Sequence, residues 1–491
     1  MNSLSRRRFV GGSLGAAGAA SVATVLPAAL RRAVADASEQ PGELSQIEHV
    51  VVLMQENRSF DTYFGSISGV RGFSDPDAIT LSTGRSVFYQ PDPENPDGYE
   101  LPFHLDTVNT SAAAVVDLSH SWLPQHQSWD NGKMDNWLPA HRLADGAANG
   151  PFTMGYYTRA DLPFHYSLAD AFTICDGYHC SVLAPTNPNR LMAWTGTIDP
   201  DGENGGPVVD NSESPPYTWT TYAERLQAAG ISWRNYQEPD TGDDNPLAWF
   251  HQYQTAPVTS PLYKYGMATV PSLPVAFRDD VMNDSLPQVS WIIGTNASTE
   301  HPPYLPAAGA AFIGQILEAL AANPKVWRKT VLFLNYDEND GYFDHVPPPT
   351  SPEGTAGEWI TGTLPPAAMG IAGPVGLGFR VPMIVISPFS TGGWVSSDVF
   401  DHTSTLRFME VLFGVEEPNI SEWRRQNTGD MTSALRLKPG TARSFPALPG
   451  VRFQRDYLLR QYITSQDQNP PVIPTTQTLP SQEPGTRPHL P

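Results

Sequence analysis

Two cysteines in 491 residues is very few, and both lie in one short stretch, ICDGYHC, as Cys175 and Cys180. With no second pair to complete a four-ligand set, a structural zinc site is a poor reading of them. In an oxidising compartment the default for such a pair is a local disulfide. Basic residues are also scarce, 30 Lys and Arg against 51 Asp and Glu, for a formal net charge of −21. A surface of that sign repels nucleic acid and anionic membranes, and leaves small or zwitterionic partners. After the first 35 residues no segment holds the roughly eighteen consecutive apolar residues of a spanning helix. Apart from the two ends there is no low-complexity tract, and no internal repeat is found.

Proline (48) and glycine (40) are abundant instead. Spread through the chain, they predict long ordered connections between regular elements. The length allows one large catalytic domain with a substantial core.

The N-terminus runs Ser5-Arg6-Arg7-Arg8-Phe9-Val10, then GGSLGAAGAASVATVLPAAL, then the small-residue site Ala33-Val34-Ala35. This resembles a twin-arginine export signal over residues 1–35, to be removed after handover to the translocation machinery. The expected destination is secreted, cell-wall or periplasmic. Residues 36–465 are then expected to form the catalytic domain. The Pro-, Gln- and Thr-rich residues 466–491 are expected to be a flexible tail.

Apolar runs at 47–55, 231–236, 288–294, 330–336 and 380–387 predict strands, and 218–229, 307–322 and 403–413 predict helices. Strands apolar throughout and alternating with helices belong to an α/β fold with a parallel sheet covered on both faces. Two Pro- and Gly-rich stretches, 75–102 and 347–378, are expected to be loop excursions forming the rim of a cleft.

The chemistry gathers at strand ends. The first strand finishes on Gln55-Glu56-Asn57, and the strand VLFLNY on Asp337-Glu338-Asn339-Asp340-Gly341. Carboxylates and an amide converging at one sheet edge repel one another unless a cation sits between them, and a hard divalent metal fits oxygen ligands of this kind. Taken singly, either stretch would serve equally well as a helix cap. A third stretch, Ala184-Pro185-Thr186-Asn187-Pro188-Asn189-Arg190, leads into a helix-like run. It offers a hydroxyl, free backbone N–H groups and an arginine near where a phosphate oxygen would bind, so Thr186 is a candidate nucleophile and a plain cap is the alternative. His120, His301, His345 and His402 stand beside acids, Pro or Ser rather than in apolar periodic runs; any one alone would serve as a surface or hydrogen-bonded residue, but four in such settings suggest that some of them line one pocket.

Together IEHVVVLMQENRSFDTYFG, YHCSVLAPTNPNRLMAWTG, EHPPYLPAAG, LNYDENDGYFDHVPPP, GFRVPMIVISPFS and FDHTSTLRFMEVLFG resemble, in order, the bacterial phosphoesterase family that holds phosphatidylcholine-type phospholipases C and certain acid phosphatases. The resemblance covers about residues 45–414. It implies an alkaline-phosphatase-like three-layer α/β/α sandwich. It also implies one divalent metal (Mn, Ca, Mg or Fe) held by Glu56, Asn57, Thr186, Asp337 and Glu338, with Thr186 as nucleophile. His120, His301 and His345 would then surround the phosphoryl group and Arg190 would orient it. The threonine and the Cys-flanked segment point to a phospholipase C acting on lipid diesters, with transient contact at a membrane surface. An exported acid phosphatase acting on monoesters is the alternative.

Overall fold

A computed structural model describes residues 44–212, 216–437, 448–466 and 469–491. The export signal expected at 1–35 lies outside them. The central sheet has seven strands: β1 His49–Gln55, β2 Thr173–Cys175, β3 Trp233–Tyr236, β4 Val289–Ile293, β5 Thr330–Tyr336, β6 Met383–Ile386 and β7 Val395–Ser396. Their spatial order is β7-β2-β6-β5-β1-β4-β3. The helices that matter below are α1 Phe60–Phe64, α2 Pro163–Ala171, α3 Thr186–Thr195, α4 Tyr222–Ala228, α5 Leu273–Met282, α6 Pro306–Ala322, α7 His402–Phe413 and α8 Val451–Ser465.

Every residue of β5 and all but the first of β1 are buried, as strands covered on both faces must be. Alternation along the strands sorts the layers. On one face Phe333 meets Phe408 of α7 at 5.2 Å between ring centroids, and Trp291 stacks on Trp194 of α3 at 5.8 Å. On the other face Tyr336 reaches Glu300, which lies against α6, and α6 packs between α5 and α8. The expected three-layer α/β/α sandwich is therefore observed.

Several local expectations are corrected. The sheet is mixed, because β6 pairs antiparallel with both β5 and β2. An apolar run encodes burial and not direction, so the sequence pattern was blind to this reversal. The two shortest strands, β2 and β7, carry no periodicity of their own. Helix α4 starts at Tyr222 rather than Thr218, because Thr221 caps it in a reciprocal box with Glu224.

Cys175 and Cys180 are buried free thiols, not a disulfide. Cys175 ends the buried strand β2, whereas Cys180 Sγ is turned to the Val182 carbonyl at 3.5 Å and packs where Gly378 leaves room. Burial pushes both thiols well above their ordinary range.

The C-terminal segment, expected to be loose, is fastened along its length. Gln482 Nε2 donates to Ile67 O at 2.6 Å, and Arg159 Nε to Glu483 Oε1 at 2.8 Å. Arg487 donates to Ser68 O and Ala169 O, and His489 bridges the edge strand β7 at Val395. Low apolar content argued against a self-made core, but this segment borrows hydrogen bonds from the loop after α1, from α2 and, at its end, from the open sheet edge at β7.

Candidate active site

Register brings the site together. β1 is parallel to both β4 and β5, with Met54 opposite Ile293 and Gln55 opposite Tyr336, so the three strands stop at one level. Glu56-Asn57, Asp337-Glu338 and the 294–305 loop therefore leave the sheet side by side, where α/β sheets carry their function. Backbone bonds tie the exits together: Glu56 N–H to Thr299 O at 2.8 Å and Asp337 N–H to Gln55 O at 3.0 Å. Asn57 sits in the left-handed region (φ 59°), which asparagine tolerates. That turn lets its N–H reach Asp337 Oδ1 at 3.1 Å and its Nδ2 reach Asp340 Oδ1 at 2.9 Å.

Two charge clusters share this edge. In the first, the fully buried Arg190 donates from Nη2 to Glu56 Oε1 at 2.8 Å, with its Nε 3.3 Å from Asp337 Oδ2 and its Nη2 3.5 Å from Asp244 Oδ2. In the second, His120 donates from Nδ1 to Leu118 O at 2.7 Å. Its Nδ1 is also 3.3 Å from Asp340 Oδ1, and its Nε2 is 3.6 Å from Glu338 Oε1. Asp117, His120 and Asp340 offer ligand atoms all within 4.8 Å of one another.

The acids outnumber the cations. Burial drives the Asp337 carboxyl up to about 6, with Arg190 opposing the rise and Glu56 adding to it. Burial and neighbouring carboxylates push Glu338, Asp340 and Asp244 well above the ordinary range. Burial alone would raise Glu56 too, but hydrogen bonding with Asp244 and the charge of Arg190 hold it below. Burial pushes the His120 imidazole below its ordinary range, with Asp117 opposing. Among the described residues, the buried oxygens Asn57 Oδ1, Asp244 Oδ2, Asp337 Oδ2 and Glu338 Oε1 accept no hydrogen bond. Buried acceptors are ordinarily satisfied, so orphans of this kind in an acidic cluster are the environment a hard divalent cation requires. The donor set fits such a metal.

Thr186 opens α3, whose ten residues are all buried. The turn before it is held by Asn189. That side chain accepts from Ser181 N–H and Val182 N–H, both at 2.9 Å, and donates to the carbonyls of Val182, Ala184 and Pro185. The Thr186 hydroxyl has no partner among the described residues and faces a cavity of about 320 Å³, also lined by Glu56, Asp244, Asn296, His301 and Tyr304. His301 is set by Glu300, which is itself left-handed (φ 69°). Four donors hold the Glu300 carboxylate: Tyr63, Tyr336, His165 and Gln55. Arg58 donates twice to the Glu300 carbonyl.

Of the residues singled out from sequence, Glu56, Thr186 and His301 share the cavity wall. Asn57, His120, Asp337 and Glu338 do not line it, although the His120 ring centroid is 6.5 Å from that of His301. Three assignments are corrected. His345 does not line the cavity: its Nδ1 bonds Asp61 at 2.6 Å and its Nε2 bonds Asp75 at 3.2 Å, inside a buried network with Arg380. Arg190 does not line it either, because its guanidinium is taken by carboxylates. His402 is likewise structural, donating from Nε2 to the Asp337 carbonyl at 2.7 Å. The rim comes from 211, 242–249 and 296–304 rather than from either Pro- and Gly-rich excursion. Asp244 and Asp117 were missed. The one signal available for Asp244 was the turn TGDDN following a predicted strand.

The sequence profile of the Phosphoesterase family matches residues 47–416. A non-hemolytic phospholipase C of Pseudomonas aeruginosa is 47% identical over 99% of this chain and 71% of its own length. Phospholipase C B of Mycobacterium tuberculosis is 41% identical over 98% of this chain and 96% of its own. Among solved structures, a protein in the alkaline phosphatase superfamily from Vibrio parahaemolyticus is 11% identical, covering 82% of this chain and 78% of that one at a TM-score of 0.36.

Proposed function

The chain belongs to the phosphoesterase family and is a phosphoric diester hydrolase; from that premise we propose an exported, divalent-metal-dependent phospholipase C that cleaves phosphatidylcholine-type lipids to diacylglycerol and a phosphorylated head group. The observation that carries this reading is the Thr186 hydroxyl, without a partner among the described residues, on a cavity wall shared with Glu56 and His301, together with the orphaned oxygens of Asn57, Asp337 and Glu338 at the same sheet edge.

Glu56, Asn57, Thr186, Asp337 and Glu338 would hold the metal. When bound, a cation such as Mn, Ca, Mg or Fe supplies Lewis-acid neutralisation of phosphoryl charge and acidifies the threonine hydroxyl. The rest falls to side chains. As its hydroxyl proton passes to solvent, Thr186 Oγ1 forms a bond to phosphorus in line with the departing diacylglycerol oxygen, whose bond to phosphorus breaks. His301 has its Nδ1 occupied by the Pro302 carbonyl, which leaves Nε2 as its free nitrogen. Protonated, that nitrogen supplies the proton that the leaving alkoxide takes up. His120 donates from Nδ1 to the Leu118 carbonyl, which leaves Nε2 as its free nitrogen. Unprotonated, that nitrogen takes a proton from the water whose oxygen then bonds to phosphorus; the phosphorus–Oγ1 bond breaks and Thr186 Oγ1 regains a proton from solvent.

Export rests on the twin-arginine pattern at residues 1–35, and changing Arg6 and Arg7 to Lys should strand the precursor in the cytoplasm. The activity is tested by comparing phosphatidylcholine with an aryl phosphate monoester across pH, for the native chain and Thr186→Ala. Phosphocholine release that disappears in the variant is expected. Faster turnover of the monoester than of the lipid would overturn the phospholipase assignment in favour of a phosphatase.

A further inference from the structure

Helix α8 is inside out. Its buried positions are Gln454, Tyr457 and Gln461, whereas Leu459, Tyr462 and Ile463 are 54%, 57% and 55% exposed. Its rotation is locked, since Gln461 Oε1 accepts from the Ala307 N–H at 2.9 Å and the Tyr457 hydroxyl donates to Asp161 O at 2.6 Å. The apolar side therefore faces outward by construction, and an outward apolar patch marks a surface meant to be covered. At i, i+3 and i+4 the three side chains form one patch. The bond to Ala307 sets this turn beside the start of α6, a few residues after Tyr304, which is on the cavity wall and itself 40% exposed.

Charge identifies the occupant. In a chain of net charge −21, α8 carries Arg452, Arg455 and Arg460 against the single acid Asp456, and the Arg452 and Arg455 side chains are 90% and 73% exposed. We propose that this face docks on a zwitterionic phospholipid bilayer. Leu459, Tyr462 and Ile463 enter the headgroup and acyl boundary beside the cavity mouth, while the arginines up the helix meet headgroup phosphates. A second copy docking through the same face would set these arginines against their own counterparts, and the acidic remainder of the chain holds off strongly anionic membranes. The inference rests on the lipid-hydrolase reading and names the surface through which it reaches its substrate.

The test uses the full exported chain and Leu459→Glu/Ile463→Glu, with far-UV circular dichroism to verify folding. Co-sedimentation with phosphatidylcholine vesicles should fall roughly tenfold or more in the variant, since two charges replace buried apolar area. Vesicle turnover should fall in parallel, while turnover of a short-chain phosphatidylcholine below its micellar concentration stays within about twofold, because neither residue lines the cavity. Equal vesicle binding and vesicle turnover by both proteins would overturn the proposal. So would a native dimer that the variant abolishes, in a protein that ignores vesicles. Failure of both proteins on the short-chain lipid would instead strike the phospholipase reading, and the sedimentation result would still decide the docking face.

Discussion

Arg190 and Glu56 form a buried ion pair, 2.8 Å from Nη2 to Oε1, at the meeting point of α3 and the end of β1. The arginine also serves Asp244 and Asp337, so it is the fixed cation of the acidic cluster. Arg190→Met leaves three buried acids without it. The expected cost is about 3–5 kcal/mol, read as a lower midpoint in chemical denaturation of chelator-treated protein. A midpoint equal to that of the native chain would show that the cluster does not depend on this charge.

Thr186→Ala should abolish turnover with the fold unchanged, because its hydroxyl makes no bond to any described residue. Thr186→Ser keeps an oxygen at the same place and should retain measurable activity. Melting temperature and product release, measured together, separate loss of chemistry from loss of structure.

Gly309 of α6 makes room for Glu300. A methyl group there would lie 2.1 Å from Glu300 Cγ, and Glu300 is the strained residue directly before His301. Gly309→Ala should cost about 1–3 kcal/mol of stability through overpacking. It should also lower kcat more than KM as His301 shifts. Native stability and kinetics in this variant would remove Glu300 from the support of the site.

His345 gives the stability a pH dependence. Burial alone would lower its pKa, but Asp61 and Asp75 raise it above the ordinary 6.5, with Arg380 opposing; Phe88 covers the ring. A cation whose folded pKa is raised contributes stability fully present below 6.5, and that contribution is lost as pH rises through the folded value. The melting temperature should therefore decline on the alkaline side of 6.5, and His345→Gln should flatten that decline. An unchanged slope would mean that another group sets it.

Chelation should abolish lipid hydrolysis and lower the melting temperature, with one of Mn, Ca, Mg or Fe restoring both. At a hundredfold excess over Kd a bound ion stabilises by about 2.7 kcal/mol. Elemental analysis of the purified protein identifies the ion, and full activity in metal-free protein would end the metal-dependent reading.

How much of this was legible beforehand differs from residue to residue. Polar groups at the ends of apolar strands, Glu56-Asn57 and Asp337-Glu338, stood out because isolated charges are costly where strands are buried, and the register of β1 with β5 brings them together. Proximity along the chain misled for His345. It stands only a few residues beyond the acidic run, yet it turns into a different network built on Asp61 and Arg380. Asp244 was marked only by the turn TGDDN, since its partners Glu56 and Asp337 follow β1 and β5, distant stretches of chain.

The sequence by itself determined which segments are buried, where the main strands stop and which side chains wait at their ends, because burial and turn chemistry act locally. Only the tertiary structure decided the antiparallel course of β6, the free thiols of Cys175 and Cys180, the anchored C-terminal segment, the capture of Arg190 by three carboxylates and the outward face of α8. Each of those depends on partners drawn from remote parts of the chain, and a hydrogen bond or ion pair is specified by two positions in space that no single stretch contains.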